Sequence, residues 1–388
     1  MRVMFINSVV DYGSTGKIVR ELAEGLKEQG HEVLIAYGRH DAKKDEDTFN
    51  ISNKWSTYYH VLMTRLFGRH GLHSSKETKR LIEKIDEFKP EIIHLHNVHG
   101  YYLNVPMLFD YLSKQDIKIY WTLHDAWSFS GSSAYFDYHD CKEWNNGCVV
   151  CESFKDYPEV KLFPNQKRNF AWKEKSFTSI KDLTIISPSD WLSDMARTTF
   201  LNKYPVLTIN NGIDLDTFRV KSTVNYNNEK LDGKFVILGL ASVWERRKGL
   251  DYFLELSNKL SSDEIIVLVG LEKSQIDNLP HNIVGIERTK NVEELVDIYN
   301  RADVFLNPTL EDNFPTTNLE SLACGTPVIT FDTGGSPEAI DEKTGIVCEE
   351  KSLDSILMAL QNIMQSSIYF EKECSSRAQR LYSKELSS

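Results

Sequence analysis

Cysteine and proline are sparse in this chain, at six and eleven among 388 residues. A disulfide-stapled secreted domain needs a far denser cysteine pattern, so that class is excluded. No apolar run approaches the ~20 residues with which a helix spans a bilayer. The opening residues, Met1 to Asn7, read as a short strand without the longer apolar core of a signal peptide, and a cytoplasmic location is expected. Basic charge is short too. Lys and Arg total 45 against 56 Asp and Glu, a net charge of -11, which argues against nucleic acid as a partner. Two phosphate-binding signatures are missing. No Gly-x-Gly-x-x-Gly follows the first strand, which weighs against a dinucleotide-dependent dehydrogenase. The first loop, Asp11-Tyr12-Gly13-Ser14-Thr15-Gly16-Lys17, has two residues between its glycines and Ile18 after the lysine, so it is not a Walker P-loop.

What remains is the composition of a globular protein, 41% hydrophobic and 26% charged, long enough for two domains. Short apolar runs alternate with helix-spaced patterns, which predicts parallel sheets covered by helices. In the first half, strands are expected over residues 3–8, 32–37, 91–96, 118–123 and 183–189, with helices over 16–29 and 76–88. A polar stretch rich in Asn, Lys and Asp, residues 221–234, marks a domain boundary. A second alternation follows, with strands over 235–241, 264–270, 302–308 and 327–331 and helices over 250–260 and 292–300. The expected organisation is a domain over 1–205, a linker region over 206–234, a second domain over 235–370 and a terminal helix over 371–388 that returns toward the first domain.

The richest stretch is Glu311-Asp312-Asn313-Phe314-Pro315-Thr316-Thr317-Asn318-Leu319-Glu320, running into Ser321-Leu322-Ala323-Cys324-Gly325-Thr326-Pro327. A strand precedes it and another follows, so it is the loop and helix of a βαβ unit. Ligands of such units sit at the carboxyl end of the strand beside the helix N-terminus, where free N–H groups suit an anion and a carboxylate can grip a diol. The plainer alternative makes Glu320 a helix-end residue and Asp312 a turn residue. Upstream, Arg246-Arg247-Lys248-Gly249 opens another helix after a strand, where cations suit a phosphate. In the first half, His94-Leu95-His96-Asn97-Val98-His99 and Thr122-Leu123-His124-Asp125 both end apolar strands, where active-site loops of parallel sheets lie. Two histidines at strand spacing lack a third metal ligand nearby. A core histidine is the plainer reading, preferred for His94; function is preferred for His96, Asn97 and His124.

The two carboxylates Asp312 and Glu320, eight positions apart, resemble the acidic E-x7-E motif of family 4 retaining glycosyltransferases, with Asp in place of the first Glu. Lys248-Gly249 is similar to that family's G-R-x-x-x-x-K-G segment, with Val243 where the Arg belongs and Arg247 as its substitute. The resemblance spans nearly the whole chain. It implies the α/β GT-B fold, two Rossmann-like domains facing across a deep cleft. It implies roles as well. Lys248 and Arg247 would neutralise the leaving diphosphate. Glu320 would hold the ribose hydroxyls, and Asp312 with Glu311 and the backbone N–H groups of Asn313 and Phe314 the transferred sugar. Gly13 and Gly16 would let backbone approach the donor's diphosphate or the acceptor. The loop Gly285-Ile286-Glu287-Arg288 would lie against the base, His124 would contact the sugar near its reacting carbon, and His96 and Asn97 would serve the acceptor side.

Asn97-Val98-His99-Gly100-Tyr101-Tyr102, Gly131-Ser132-Ser133-Ala134-Tyr135-Phe136 and Cys141, Trp144, Cys148 and Cys151 also resemble the branch that assembles capsule, colanic acid and related exopolysaccharides. In that branch a fourth Cys stands where this chain has Ser133. Either His139 completes a structural zinc site with Cys141, Cys148 and Cys151, or these are free thiols. The resemblance implies a sugar-nucleotide donor, with UDP the expected carrier, and a saccharide acceptor on undecaprenyl diphosphate. It implies a hexosyl or N-acetylhexosaminyl transfer with retention, by internal return and without a catalytic metal. Two other readings stay open: a GT-B sugar-nucleotide 2-epimerase, and a non-catalytic glycan-binding scaffold derived from a transferase. Finally, residues 55–73 mix Trp55, Tyr58, Tyr59, Leu62 and Phe67 with Arg65 and Arg69, which suits a membrane surface or, equally, a helix packed on its own domain.

Overall fold

A computed structural model describes residues 1–40, 45–136, 139, 141, 144, 155–226, 228–365 and 370–387. The chain forms two compact units that divide between Asn210 and Asn211.

The first unit holds a seven-stranded sheet in the order β3-β2-β1-β4-β5-β6-β7, every neighbouring pair parallel. Its strands are β1 (Arg2–Val9), β2 (Glu32–Arg39), β3 (Thr48–Asn50), β4 (Ile92–Leu95), β5 (Lys118–Thr122), β6 (Leu183–Ser187) and β7 (Val206–Thr208). Its helices are α1 (Gly13–Glu28), α2 (Lys54–Phe67), α3 (Ser75–Phe88), α4 (Val105–Leu112), α5 (Gln166–Phe177) and α6 (Asp190–Arg197). Near-continuous apolar strands such as β1, buried from Val3 to Val9, are what a sheet covered on both faces requires. One face packs Leu81, Phe109, Trp121 and Phe177, the other Val19 and Ala23 of α1 against Phe5 and Ile35.

The second unit carries a six-stranded parallel sheet in the order β10-β9-β8-β11-β12-β13. Its strands are β8 (Phe235–Leu240), β9 (Glu264–Val269), β10 (Ile283–Ile286), β11 (Val304–Asn307), β12 (Val328–Phe331) and β13 (Gly345–Cys348). Its helices are α7 (Leu250–Ser257), α8 (Lys273–Ile276), α9 (Val292–Arg301), α10 (Thr316–Ala323), α11 (Leu353–Gln365), α12 (Phe370–Leu381) and α13 (Lys384–Ser387). Again two apolar layers flank the sheet, one around Tyr299, Leu319 and Leu322, the other around Phe253, Leu268 and Leu306.

Both expected alternations are present, and three boundaries move. Residues 206–208, assigned to the linker, are the edge strand β7 of the first sheet. The polar stretch after Asn211 belongs to the second unit. The terminal helix expected to return to the first domain is two helices, and α12 packs Cys374 and Ala378 into the second unit's own core. There Tyr382 O accepts from Ile213 N–H at 2.7 Å and Lys384 N–H donates to Ile213 O at 3.1 Å. The apolar face of α12, Phe370, Cys374 and Ala378, decides its placement, and a short i, i+4 stripe does not say in the sequence which sheet it covers.

Candidate active site

In each sheet the strand order reverses next to the first strand, between β1 and β4 and between β8 and β11. At such a switch point the loops leaving the carboxyl ends of the two strands part to opposite faces and open a crevice.

In the second unit these loops carry Lys248 and Asp312. Lys248 Nζ lies 2.5 Å from Asp312 Oδ2, and Arg247 Nη1 lies 3.9 Å from the same oxygen. Burial works to raise the Asp312 carboxyl, but the two cations outweigh it and hold it below the usual carboxylate range. The two loops are tied by backbone as well. Leu310 N–H donates to Arg247 O at 2.8 Å, and Arg247 Nη1 donates to Glu311 O at 2.7 Å. One of the five donors of Arg247 therefore holds the loop itself. Gly249 is left-handed (φ +75°), and a Cβ there would stand 2.2 Å from Pro308 O. The glycine after Lys248 thus lets the β8 loop lie against the end of β11. Gly334 does the same on the other side. A Cβ there would stand 1.9 Å from Asp312 O, and Gly335 N–H donates to that oxygen at 3.1 Å.

Glu320 sits in α10, where Tyr299 Oη of α9 donates to its Oε2 at 2.9 Å. Tyr299 is fully buried, and burial together with the Glu320 carboxylate pushes its phenol well above the usual range. Glu311 is buried. The Asn313 N–H, assigned to sugar hydroxyls, is instead taken by Asp312 Oδ1 at 3.0 Å, because an Asp side chain reaches the next N–H of its own turn. The Phe314 ring packs on Tyr382 with centroids 5.8 Å apart, and its carbonyl accepts from Asn211 at 3.2 Å. Glu287 and Arg288 follow β10 and are exposed. The strand they leave is two places from β8 in the sheet, roughly 10 Å at the ordinary strand spacing.

In the first unit the structure brings His96 and His124 together, Nδ1 to Nε2 at 2.9 Å with rings stacked 5.2 Å apart. Burial pushes His124 down to about 4 and His96 well below its ordinary value, so both are neutral near pH 7 and one donates to the other. His94 is bonded to Thr122 Oγ1 at 2.8 Å, the plainer reading. Asn97 N–H donates to Oδ1 of buried Asn7 at 3.1 Å. Gly13 begins helix α1 rather than preceding it, three residues before the expected start. It is left-handed with open space around it, whereas buried Gly16 has its Cβ position 3.2 Å from Asp11 N. Both glycines therefore lie in the first turn of α1, where backbone N–H groups are free of helix partners.

Several contributors escaped the sequence. His99 Nε2 pairs with Asp125 Oδ2 at 3.0 Å, and His99 outweighs the burial that would raise this carboxyl. Fully buried Lys173 donates to Trp127 O at 2.5 Å and Ser130 O at 3.0 Å, with its ammonium 3.9 Å from the Trp127 ring centroid. It fastens the segment that follows His124. Beneath the acidic loop, Asn307 donates to Asn318 at 2.8 Å and Asn318 donates to Ser336 Oγ at 3.1 Å. Buried asparagines and a buried lysine are a signal, since each needs partners, but the sequence does not say which.

Of the zinc donor set, Cys148 and Cys151 lie outside the described residues. Cys141 is half-buried, His139 bonds Asp156 through Nε2, and Ser133 Oγ donates to Tyr135 O at 2.5 Å. Among the described residues no group of three or more His, Cys, Asp or Glu could hold a metal ion.

Two parallel α/β units with cations and a carboxylate pair at the second switch point define a glycosyltransferase of the GT-B fold. The chain belongs to glycosyltransferase family 4, whose model matches residues 15–217; the model of glycosyl transferases group 1 matches residues 234–366. It is 24% identical over 389 residues to a chain of Escherichia coli K12 named for colanic acid biosynthesis, the glycosyl transferase WcaC, covering 94% of this chain and 92% of that one. An Escherichia coli UDP-Gal:alpha-D-GlcNAc-diphosphoundecaprenol alpha-1,3-galactosyltransferase is 24% identical over 186 residues, 44% of this chain and 48% of its own. Among solved structures, sucrose-phosphate synthase from Thermosynechococcus elongatus superposes with a TM-score of 0.72 at 17% identity, covering 99% of this chain and 96% of that one.

Proposed function

We propose that this glycosyltransferase moves a hexosyl or N-acetylhexosaminyl group from a UDP-sugar to a saccharide carried on undecaprenyl diphosphate, with retention of configuration, in assembly of a surface polysaccharide at the cytoplasmic membrane face. The observation that carries the reading is the Lys248–Arg247–Asp312 cluster at the β8/β11 switch point, with the Tyr299-held Glu320 on the adjoining helix. Two cations at one crevice offset the charge that builds on a departing diphosphate, so the chemistry calls for no metal. Asp312, ionised by those same cations, serves the hydroxyls of the transferred sugar. Glu320 takes the ribose diol as a two-oxygen acceptor. On the first unit, neutral His124 offers a hydrogen bond to a sugar hydroxyl, and His96 and Asn97 serve the acceptor side. The leaving phosphate receives the acceptor proton in an internal-return step, leaving the anomeric configuration unchanged. The two Escherichia coli relatives support the polysaccharide setting, and the name of the second supports both the UDP carrier and the lipid-linked acceptor.

Calorimetric titration with a panel of UDP- and GDP-sugars tests the donor. Transfer to a synthetic undecaprenyl-diphosphate-linked saccharide, with the new linkage read by NMR, then tests acceptor and stereochemistry. Tight binding of a UDP-sugar with an α-to-α product is expected. A chain that binds no sugar nucleotide would be a scaffold, and one that converts the donor without acceptor would be an epimerase.

A further inference from the structure

His96 and Asn97 leave the end of β4 with every backbone polar group held. His96 N–H donates to Ile6 O at 2.9 Å, and His96 O accepts from Trp121 Nε1 at 2.9 Å. Asn97 N–H donates to Asn7 Oδ1 at 3.1 Å, and Asn97 O accepts from Tyr102 Oη at 2.9 Å. Asn7, Tyr102 and Trp121 are all buried. A buried polar side chain must find a partner, and these three find theirs on the same two residues of one loop.

The chain takes up unfavourable backbone geometry to make this arrangement. Gly100 and Tyr101 are both left-handed, at φ +116° and +69°. An aromatic residue is rare in that region, and the reversal brings Tyr102 back to Asn97. Two glycines clear the way. A Cβ at Gly38 of β2 would stand 2.1 Å from Cγ of Tyr102, and one at Gly100 would stand 2.8 Å from Ser8 Cβ. Asn7 also reaches the neighbouring loop, where its Nδ2 donates to Val9 O at 2.7 Å and Thr15 O at 3.4 Å. One amide therefore fixes the loop after β4 against the loop that leads from β1 into α1.

The Asn97 side chain stands apart from this clamp. A structural asparagine turns its carboxamide to nearby backbone, as Asn7 does toward Val9 and Asn104 does toward Met107. The Asn97 carboxamide bonds no described residue. It belongs to a half-buried residue and lines one small crevice with His96, His124 and Asp125. A carboxamide carries both a donor and an acceptor, the two functions that a sugar hydroxyl answers.

We infer that Asn7 and Tyr102 are positioning residues that present the Asn97 carboxamide to a hydroxyl of the acceptor sugar, beside His124. Holding both backbone groups of Asn97 fixes its Cα–Cβ direction before the saccharide arrives, so less order has to be imposed on binding. The inference rests on the proposed transfer only in calling that saccharide the acceptor.

Saturation-transfer NMR titration of the full chain, with UDP present, against the diphosphates of glucose, galactose and N-acetylglucosamine on a short alkyl chain reads saccharide affinity. The wild type should bind at least one of them. Asn97→Ala should weaken that binding about tenfold and Tyr102→Phe roughly three- to tenfold, the scale of one neutral hydrogen bond. UDP affinity of Tyr102→Phe should match the wild type. The deciding measurement is Tyr102→Phe combined with Asn97→Ala. A tyrosine that acts through Asn97 makes the double variant bind like Asn97→Ala alone, whereas a merely structural one weakens both backgrounds by the same factor. Asn7→Ala should repeat the pattern of Tyr102→Phe. Melting curves check its fold, and Tyr102→Phe, which keeps the ring, decides alone where Asn7→Ala does not fold. A wild type that binds none of the saccharides would overturn the inference, as would equal factors in the two backgrounds or undiminished binding by Asn97→Ala. Saccharide binding without transfer from any UDP-sugar would sink the functional reading and leave the subsite standing.

Discussion

Tyr299→Phe removes one oxygen from a fully buried side chain and with it the 2.9 Å hydrogen bond to Glu320 Oε2. A hydrogen bond to a charged group contributes ~1.5–3 kcal/mol, so the variant should melt lower while keeping its fold, since the ring is retained. The consequence for binding is smaller. Without the phenol, the Glu320 side chain regains rotamer freedom, and ordering it again when the ribose arrives costs up to ~1.5 kcal/mol. UDP affinity should therefore fall roughly three- to tenfold, at ~1.4 kcal/mol per factor of ten. The control is 2′,3′-dideoxy-UDP, which offers Glu320 no hydroxyl. For that ligand the wild type and Tyr299→Phe should bind alike, because binding it does not require the carboxylate to be ordered. Isothermal titration of both proteins with both ligands closes the cycle. An equal loss for UDP and its dideoxy analogue would show that Tyr299 acts on the fold and not on the ribose contact.

Lys248→Ala should lower turnover by ~10²–10³, the range for losing one donor to a developing anion, while affinity for uridine stays near wild type. Wild-type turnover would shift the phosphate role to Arg246 or Arg247. His124→Ala should leave UDP affinity intact and reduce transfer roughly ten- to a thousandfold; full activity would return His124 to the core. His60, fully buried, is pushed by burial down to about 3, so it stays neutral in the folded chain while the unfolded chain takes up a proton below about pH 6.5. Its contribution is therefore intact above about pH 6.5 and is lost as the pH falls toward 3, by about 2 kcal/mol at pH 5. Denaturant melts of wild type and His60→Gln between pH 7 and 5 should diverge by that amount, and parallel curves would refute it. Elemental analysis after dialysis against a mild chelator should find less than one zinc per chain, and stoichiometric zinc would show that Cys141, Cys148 and Cys151 form a site with a fourth ligand.

The periodicity of apolar residues was enough to see two parallel α/β units, because strands covered on both faces read as apolar runs wherever they sit. The same holds for loops that end strands, which made the segments of Lys248, Asp312, His96 and His124 candidates by position, while the choice of residues within them, and of Glu320 on the following helix, leaned on the family resemblance. What the sequence left open depends on contacts between distant segments. Whether Asp312 meets Lys248, 64 positions away, is settled by β8 lying next to β11 and by glycines at 249 and 334 that admit the close approach. Tyr299 looked like any core aromatic until α9 and α10 packed and gave its hydroxyl the Glu320 carboxylate. That Asn313 N–H is bonded to the Asp312 carboxylate is a local matter, since a short acidic side chain reaches its own turn. Helix α2 shows both sides of the matter. Its amphipathic pattern stands in the sequence, yet a pattern has two faces and does not say which one turns inward. Only packing turned His60 and Thr64 fully inward beside half-buried Val61, Met63 and Leu66, because the two polar side chains found partners there, and left Trp55, Tyr58 and Leu62 on the outside.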